Sequence, residues 1–170
     1  MENLLSADSI MNGEATVKAK EQNDIIVKNT YHFEAFDKDG NFLWEDYAEN
    51  LVTNEGLDDV LDKYLLGSGY TADFYVLLTD GSPTPAVGDT LGDHSGWAEA
   101  DAYAGDRKAL TLAAVSGQST NNGGNKAIFV IDADGTTIGG AGMCKAATLN
   151  TAVLYSVCEN RFIFKNINNK

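Results

Sequence analysis

Four side chains carry the nucleophilic or metal-binding chemistry that often marks a reactive site: His32, His94, Cys144 and Cys158. A zinc site uses three or four histidine, cysteine or carboxylate ligands, usually at short spacings. Both cysteines lie far from both histidines along the chain, and neither belongs to a Cys-x-x-Cys pair. We therefore predict no metal site. In a reducing cytosol the thiols are expected to stay reduced as small buried apolar groups, with a disulfide as the less favoured alternative.

Two motifs contain residue types found in catalytic or phosphate-binding sites. Asp93-His94-Ser95 has the residues of a hydrolytic triad, but triad members converge from separate segments, so adjacency favours a loop turn. Gly139-Gly-Ala-Gly142 lacks the Gly-Lys-Ser/Thr ending of a phosphate loop, and tight strand packing explains it better. The sequence therefore predicts no catalytic residues, no cofactor and a protein that is not an enzyme. A glycosidase or metallohydrolase is the weakest alternative.

Two short acidic motifs, Asp37-x-Asp-Gly-Asn41 and Asp132-x-Asp-Gly135, resemble the start of a calcium-binding loop. An EF-hand supplies a bidentate Glu at its twelfth position. That position is Ala48 counted from the first motif and Met143 counted from the second, and neither side chain binds calcium. Because Asp and Gly are the ordinary residues of tight turns, both motifs predict turns between strands.

The charge balance argues against two classes of partner. The chain has 12 Lys and Arg against 25 Asp and Glu, a net charge of −13. Nucleic acids and anionic membranes attract positive charge, so we expect neither as a partner. No apolar run approaches the roughly 20 residues of a membrane span, and the acidic start does not resemble a signal peptide. We expect a chain that stays in the cytoplasm where it is made unless an assembly carries it out. Its acidity fits docking onto a basic surface or a merely solvated face.

A hairpin is the first clear element that positions these residues. The segment Ile25–Phe36 begins with β-branched residues and continues with alternating side chains, which predicts a strand. Asp37–Gly40 is predicted as a turn, and Asn41–Tyr47 as the returning strand. Because side chains alternate across a strand, His32 is predicted on the face opposite Tyr31.

A short helix is predicted next, over about residues 54–66. Thr53 or Asn54 supplies the N-cap oxygen, and Gly67 ends the helix. Its apolar side chains recur at i, i+3, i+4, i+7 and i+8, so we predict that this stripe packs on a sheet. The stripe consists of Leu57, Val60, Leu61, Tyr64 and Leu65.

The rest of the chain predicts short strands and loops. Residues 86–107 form a long irregular stretch that contains Trp97 and Tyr103. The fold class is mainly β, a β-sandwich or jelly-roll-like architecture with one short helix. We expect residues 1–24 to form an N-terminal arm and residues 25–170 a single β-rich domain. The strands are predicted at Phe74–Leu78 (buried on both faces), Lys108–Ala113, Ala127–Ile131, Thr136–Cys144, Ala152–Val157 and Arg161–Lys165.

Several motifs follow one another in a fixed order within residues 49–157: Glu49-Asn-Leu-Val-Thr-Asn-Glu-Gly-Leu57, Phe74 to Thr90, Gly96-Trp-Ala-Glu99, Tyr103, Arg107, Lys108-Ala-Leu110 and Asn125-Lys-Ala-Ile-Phe129. As an ordered set they resemble a family of small proteins encoded beside the major capsid protein in tailed-bacteriophage genomes. Phe74 stands where that family has Trp, and Val87-Gly88 where Ala-Ser is usual. No catalytic residue belongs to the family pattern.

The resemblance implies a capsid decoration, or cement, protein with a jelly-roll-like fold. Many copies of such a protein bind the outer surface of a capsid and bridge its capsomers. The expected partners are the major capsid protein and further copies of the chain, as a dimer or trimer. The expected location is the virion, after assembly in the host cytoplasm. The alternative is a phage tail- or fibre-associated adaptor or glycan-binding module, in which Trp97 and Tyr103 stack on sugars rather than anchor their loop.

Overall fold

The computed structural model describes residues 14–19, 25–101, 103, 106–131, 137–148 and 152–165. Within these ranges the chain forms short and long β-strands and one helix, which continues as a π-helical turn over Leu61–Leu65. The elements are β1 (Glu14–Ala19), β2 (Ile25–Phe36), β3 (Phe42–Glu49), β4 (Leu51–Val52), α1 (Asn54–Val60), β5 (Tyr75–Asp80), β6 (Ala98–Glu99), β7 (Lys108–Ala109), β8 (Ser119–Thr120), β9 (Thr137–Cys144) and β10 (Leu154–Lys165).

The strands form two antiparallel sheets. Sheet one has the order β3-β2-β1-β8, and sheet two has the order β4-β10-β9-β5-β6, with β7 also paired to β5. The fold is therefore mainly β and sandwich-like with one short helix, which confirms the predicted fold class. No helix in the described ranges is long and apolar enough to cross a membrane.

Two apolar clusters cover the two faces of sheet two. The larger cluster joins Tyr31 and Phe33 of sheet one to Val76 and Leu78 of β5. The smaller cluster, on the other face of β5, holds Leu77 together with Trp97, Cys144, Leu154 and Val157. The prediction that this strand is buried on both faces is confirmed. Each fully buried leucine contributes roughly 1.5–3 kcal/mol.

The turn between β2 and β3 confirms the hairpin prediction. The Asp37 Oδ1 atom accepts hydrogen bonds from the backbone amides of Asp39 (2.9 Å) and Asn41 (2.8 Å). Gly40 has a φ of 81°, which favours glycine. The hydrogen bond from the Asn41 side chain, together with these amides, lowers the pKa of Asp37. The second acidic motif, Asp132–Gly135, lies outside the described residues.

Part of the predicted N-terminal arm is a strand of sheet one. β1 pairs antiparallel with β2, in a register that runs from Glu14 opposite Thr30 to Ala19 opposite Ile25. The sequence did not predict this strand, because a polar segment acquires a strand conformation from its partner as much as from its own propensity. The remaining residues of the predicted arm lie outside the described ranges.

Three predicted strands have different bounds in the structure. Lys108–Ala113 is reduced to β7, and the last two predicted strands form the single strand β10, whose register with β9 shifts between Glu159 and Phe164.

Ala127–Ile131 alternates between buried and exposed side chains as a strand does. In the described part of the chain its ladder pairing is limited to one bridge, Tyr103–Ile131. Apolar patterning predicts the extended conformation but not the pairing partner.

The two cysteines are free and buried, as predicted. Cys144 belongs to the smaller apolar cluster and Cys158 to the larger one, on opposite faces of sheet two. A disulfide needs Cβ atoms that approach each other, so this arrangement excludes the pairing. Burial raises the pKa of the Cys144 thiol, and it raises the pKa of Cys158 to about 12.

We expect neither thiol to react with DTNB at about pH 8 while the chain is folded, because the thiolate is the reactive species. Burial raises the pKa of Cys158 from its ordinary 9.0, so the folded chain favours the neutral thiol. The stability gained from this burial is complete below about pH 9 and is lost as the pH rises towards 12. Absorbance of the released thionitrobenzoate, with and without denaturant, measures the reaction. Rapid stoichiometric reaction of the folded chain would contradict the buried placement.

Candidate interaction surface

The helix α1 is fixed to sheet two through its first turn. The buried Thr53 side chain caps it, since its Oγ1 accepts from the Gly56 amide at 3.1 Å and donates to the Leu154 carbonyl. The Glu55 carboxylate accepts from the Leu154 amide at 3.0 Å. Gly56 lies so close to the backbone of Tyr155 that any added Cβ would overlap it. The helix therefore approaches β10 through a glycine and a cap.

A buried ion pair fixes the next turn of the helix. Lys145, the residue after β9, places its Nζ 2.6 Å from a carboxylate oxygen of Asp59, and both side chains are largely buried. The same ammonium lies over the rings of Tyr70 and Phe74, at 5.1 and 5.3 Å from their centroids. Cation–π contacts of this kind add to the ion pair. Gly56 and Asp59 therefore mark the side of the helix that contacts the sheet.

The predicted apolar stripe does not pack on the sheet, and this part of the helix prediction was wrong. Tyr64 is 84% exposed, Leu65 70% and Leu66 79%. The contact side is set by the small residue that permits close backbone approach, and the large apolar side chains are left facing outward. We call the exposed apolar side chains of the helix and its π-helical turn the apolar row. It consists of Leu57, Leu61, Tyr64, Leu65 and Leu66.

A groove of about 420 Å³ lies beside the apolar row. Tyr64 belongs to both, so the row and the groove form one continuous surface. Its apolar lining comes from the helix, β5 and its preceding loop, β9, β10 and the segment after β7. Concave apolar surfaces with few polar groups are the usual form of binding sites. The apolar lining consists of Val60, Tyr64, Tyr70, Phe74, Val76, Leu110, Leu112, Met143 and Tyr155.

Polar residues of sheet one also line the groove, together with Asp59 and Lys63. The Tyr31 hydroxyl and the Ser156 hydroxyl are 2.7 Å apart, and the Asn29 Nδ2 donates to Ser156 Oγ at 3.3 Å. Asn29 and Tyr31 also line the groove. The buried Asn29 Oδ1 has no hydrogen-bond partner among the described residues.

The aromatic residues of the long loop anchor it to the core. Trp97 donates its indole N–H to Asp89 Oδ2 at 2.9 Å, and the His94 ring stacks on Trp97 at 3.7 Å. Tyr103 packs edge-on against Phe129, with 4.7 Å between the ring centroids. Both Trp97 and Tyr103 are buried. Of the two roles that the sequence left open for these rings, the structure supports anchoring and not stacking on sugars.

The remaining sequence-predicted motifs have structural roles. The Nδ1 atom of His94 lies 2.9 Å from the Trp97 carbonyl oxygen, a contact that holds the loop closed. Gly139, Gly140 and Gly142 lie in β9, where an added Cβ would meet neighbouring backbone or buried side chains. This confirms tight strand packing as the explanation of the glycine run.

Sequence reasoning missed a buried ion pair between Arg107 and Glu99. The guanidinium forms two hydrogen bonds with the carboxylate, at 2.8 and 2.6 Å, and its side chain is 3% exposed. It also donates to the carbonyls of Ala146 and Thr148 at 3.2 and 3.0 Å. The bond to Glu99 is the main cause that raises the Arg107 pKa. This pair ties the long loop to the end of β9.

One sequence signal for the outward apolar surface was present. Tyr64, Leu65 and Leu66 are consecutive, and neighbouring residues of a helix point about 100° apart. Three such residues cannot all face one sheet. No comparable signal existed for the groove, because its lining comes from segments far apart in sequence.

Comparisons with known proteins identify no relative. No family model matches the chain, and no curated protein or solved structure matches it at a significant level.

Proposed function

We propose that the chain is a structural virion protein that binds the outer surface of a phage capsid and stabilises the capsid by bridging capsomers. The observation that carries this proposal is the apolar row continuous with the groove. Large exposed apolar surfaces mark sites of protein association. The ordered motifs of residues 49–157, which resemble proteins encoded beside the major capsid protein, give the class of partner.

The energetics of the surface suit a repeated contact. Complete burial of Leu65, Leu66 or Tyr64 against a partner contributes roughly 1.5–3 kcal/mol per side chain before the costs of association. One such contact is modest. Many copies on one shell, each also touching its neighbour as a dimer or trimer, bind cooperatively through effective concentration.

Charge and strand edges support the same proposal. The net charge of −13 favours a basic docking surface and disfavours nucleic acid. The segment Ala127–Ile131 exposes Ile128 and Val130 and has little strand pairing within the described ranges. Extended segments of this kind pair with strands of neighbouring subunits.

We expect Leu65→Glu to weaken co-sedimentation with purified phage shells by more than about tenfold, because a charge would be buried at the contact. Stability should change by no more than about 0.5 kcal/mol, since the side chain is exposed. Leu43→Glu is the matched control: Leu43 is an exposed leucine of β3, outside the groove lining. It should bind shells like the unchanged chain.

A chain that remains monomeric and never sediments with capsids would contradict the proposal. Equal loss in Leu43→Glu and Leu65→Glu would contradict the assignment of the surface. For a tail adaptor, the test is binding to purified tails instead of shells. No observation on the described residues favours glycan binding, since both candidate rings are buried.

A further inference from the structure

Three ligand-type side chains converge on one face of the β2–β3 hairpin. His32 and Glu34 are two residues apart on β2, so they share a face, and Glu45 of β3 lies directly opposite Glu34. The His32 Nε2 atom is 3.1 Å from Glu45 Oε2. One ligand atom from each of the three residues lies within 4.8 Å of the others.

The charges of this cluster favour binding of a cation. Glu34 and Glu45 are cross-strand neighbours, and like charges in that position are unfavourable. Lys126 places its ammonium 2.9 Å from Glu34 Oε2 and offsets one of the two charges. The pair of carboxylates with one lysine therefore keeps a net negative charge when the imidazole is neutral.

The imidazole is held in position by packing. Its ring stacks on Tyr47 with 4.2 Å between centroids and 3° between planes, and the side chain is only 10% exposed. Ligands held by packed neighbours lose little freedom on binding a metal. The Glu45 side chain, by contrast, is 51% exposed, so the cluster is open to solvent on that side.

We propose that His32, Glu34 and Glu45 form a binding site for a divalent transition-metal ion of the zinc type. One imidazole nitrogen and two carboxylate oxygens are a ligand set that zinc accepts, with water in the fourth position. The imidazole disfavours calcium and magnesium, which take oxygen ligands. Ligands about 2 Å from one ion lie roughly 3–4 Å apart. The three ligand atoms lie within 4.8 Å of one another, so small side-chain movements bring them to zinc distances.

The ion would cross-link the two strands of the hairpin. It would replace the His32–Glu45 contact, and Lys126 would compete with it for Glu34. This role is independent of the apolar row and groove, since none of the three ligands lines the groove. The metal would stabilise the edge of sheet one, where β3 is the terminal strand.

The test is titration of the full chain with zinc chloride by calorimetry, with cobalt(II) as the spectroscopic probe. We expect one ion per chain, visible absorption bands of a low-coordinate cobalt site, and a higher thermal midpoint with zinc. Glu45→Gln and His32→Gln should each weaken binding by more than about tenfold. Lys126→Met should bind the ion several-fold more tightly, because it removes the competing cation.

Glu49→Gln is the matched control, since Glu49 lies four residues from Glu45 on the same face of β3, outside the proposed ligand set, and pairs with the exposed Lys28 at 3.8 Å. It should bind zinc like the unchanged chain. Circular dichroism of each variant checks that it folds. Absence of zinc binding overturns the proposal, as does binding that survives in both folded Glu45→Gln and His32→Gln, or weaker binding in Lys126→Met.

Discussion

Replacing Arg107 with Met is expected to lower the free energy of unfolding by about 3–5 kcal/mol, because it leaves the carboxylate of Glu99 without its partner. Both side chains are largely buried, and Glu99 receives two hydrogen bonds from the guanidinium. The substitution also removes the donors to the carbonyls of Ala146 and Thr148. Urea denaturation followed by far-ultraviolet circular dichroism measures the change.

Two further variants isolate the cause. Glu99→Leu combined with Arg107→Met should recover a substantial part of the loss, since the uncompensated charge is then gone. Lys38→Met removes an exposed ion pair with Asp39 and should leave the free energy of unfolding nearly unchanged, because solvent screens the pair. An Arg107→Met chain as stable as Lys38→Met would show that the buried pair does not hold the loop.

The second large effect is expected for Gly139→Ala. A Cβ at this position of β9 would overlap the carbonyl of Gly81 and contact the buried Pro83. Overpacking costs typically 1–3 kcal/mol, and backbone atoms yield less readily than flexible side chains. We therefore expect a loss of about 3 kcal/mol in the free energy of unfolding, measured by the same denaturation.

Gly88→Ala is the control for that substitution. A Cβ at Gly88 meets nothing within 4 Å. The backbone at Gly88 does not adopt a positive φ, so Ala is tolerated there without strain. We expect its stability to change by about 0.5 kcal/mol or less. If Gly139→Ala and Gly88→Ala were equally stable, the close approach of β9 to the turn after β5 would not be a constraint on the fold.

The hairpin and the helix show how far local sequence determines this fold. The turn at Asp37–Gly40 and the cap at Thr53 depend on side-chain oxygens and dihedral preferences within a few residues. Thr53 was one of two candidates for the cap, with Asn54, and the turn was predicted. The side of the helix that meets the sheet was not, because apolar periodicity shows which residues share a face but not what covers that face. The close approach of Gly56 to Tyr155 is a tertiary property.

The site residues were harder to predict than the elements. The groove joins segments from Asn29 to Tyr155, and no local pattern brings them together. The Arg107–Glu99 pair spans a loop whose path the sequence does not define. The three proposed ligands on the hairpin are partly predictable from the sequence. The hairpin register places Glu45 opposite Glu34, and alternation places His32 beside them, but the orientation of each side chain depends on Tyr47 and Lys126.

The apolar row also has a consequence for when the chain associates. Copies carrying an exposed row of leucines and tyrosine would coalesce in a crowded cell if nothing held them apart. The net charge of −13 opposes this association, because like-charged copies repel one another over a Debye length of about 10 Å at 0.1 M salt. A basic docking surface of the kind we propose would neutralise that repulsion and let the same leucines contact a partner. The net charge would then limit association to the surface on which the copies bind.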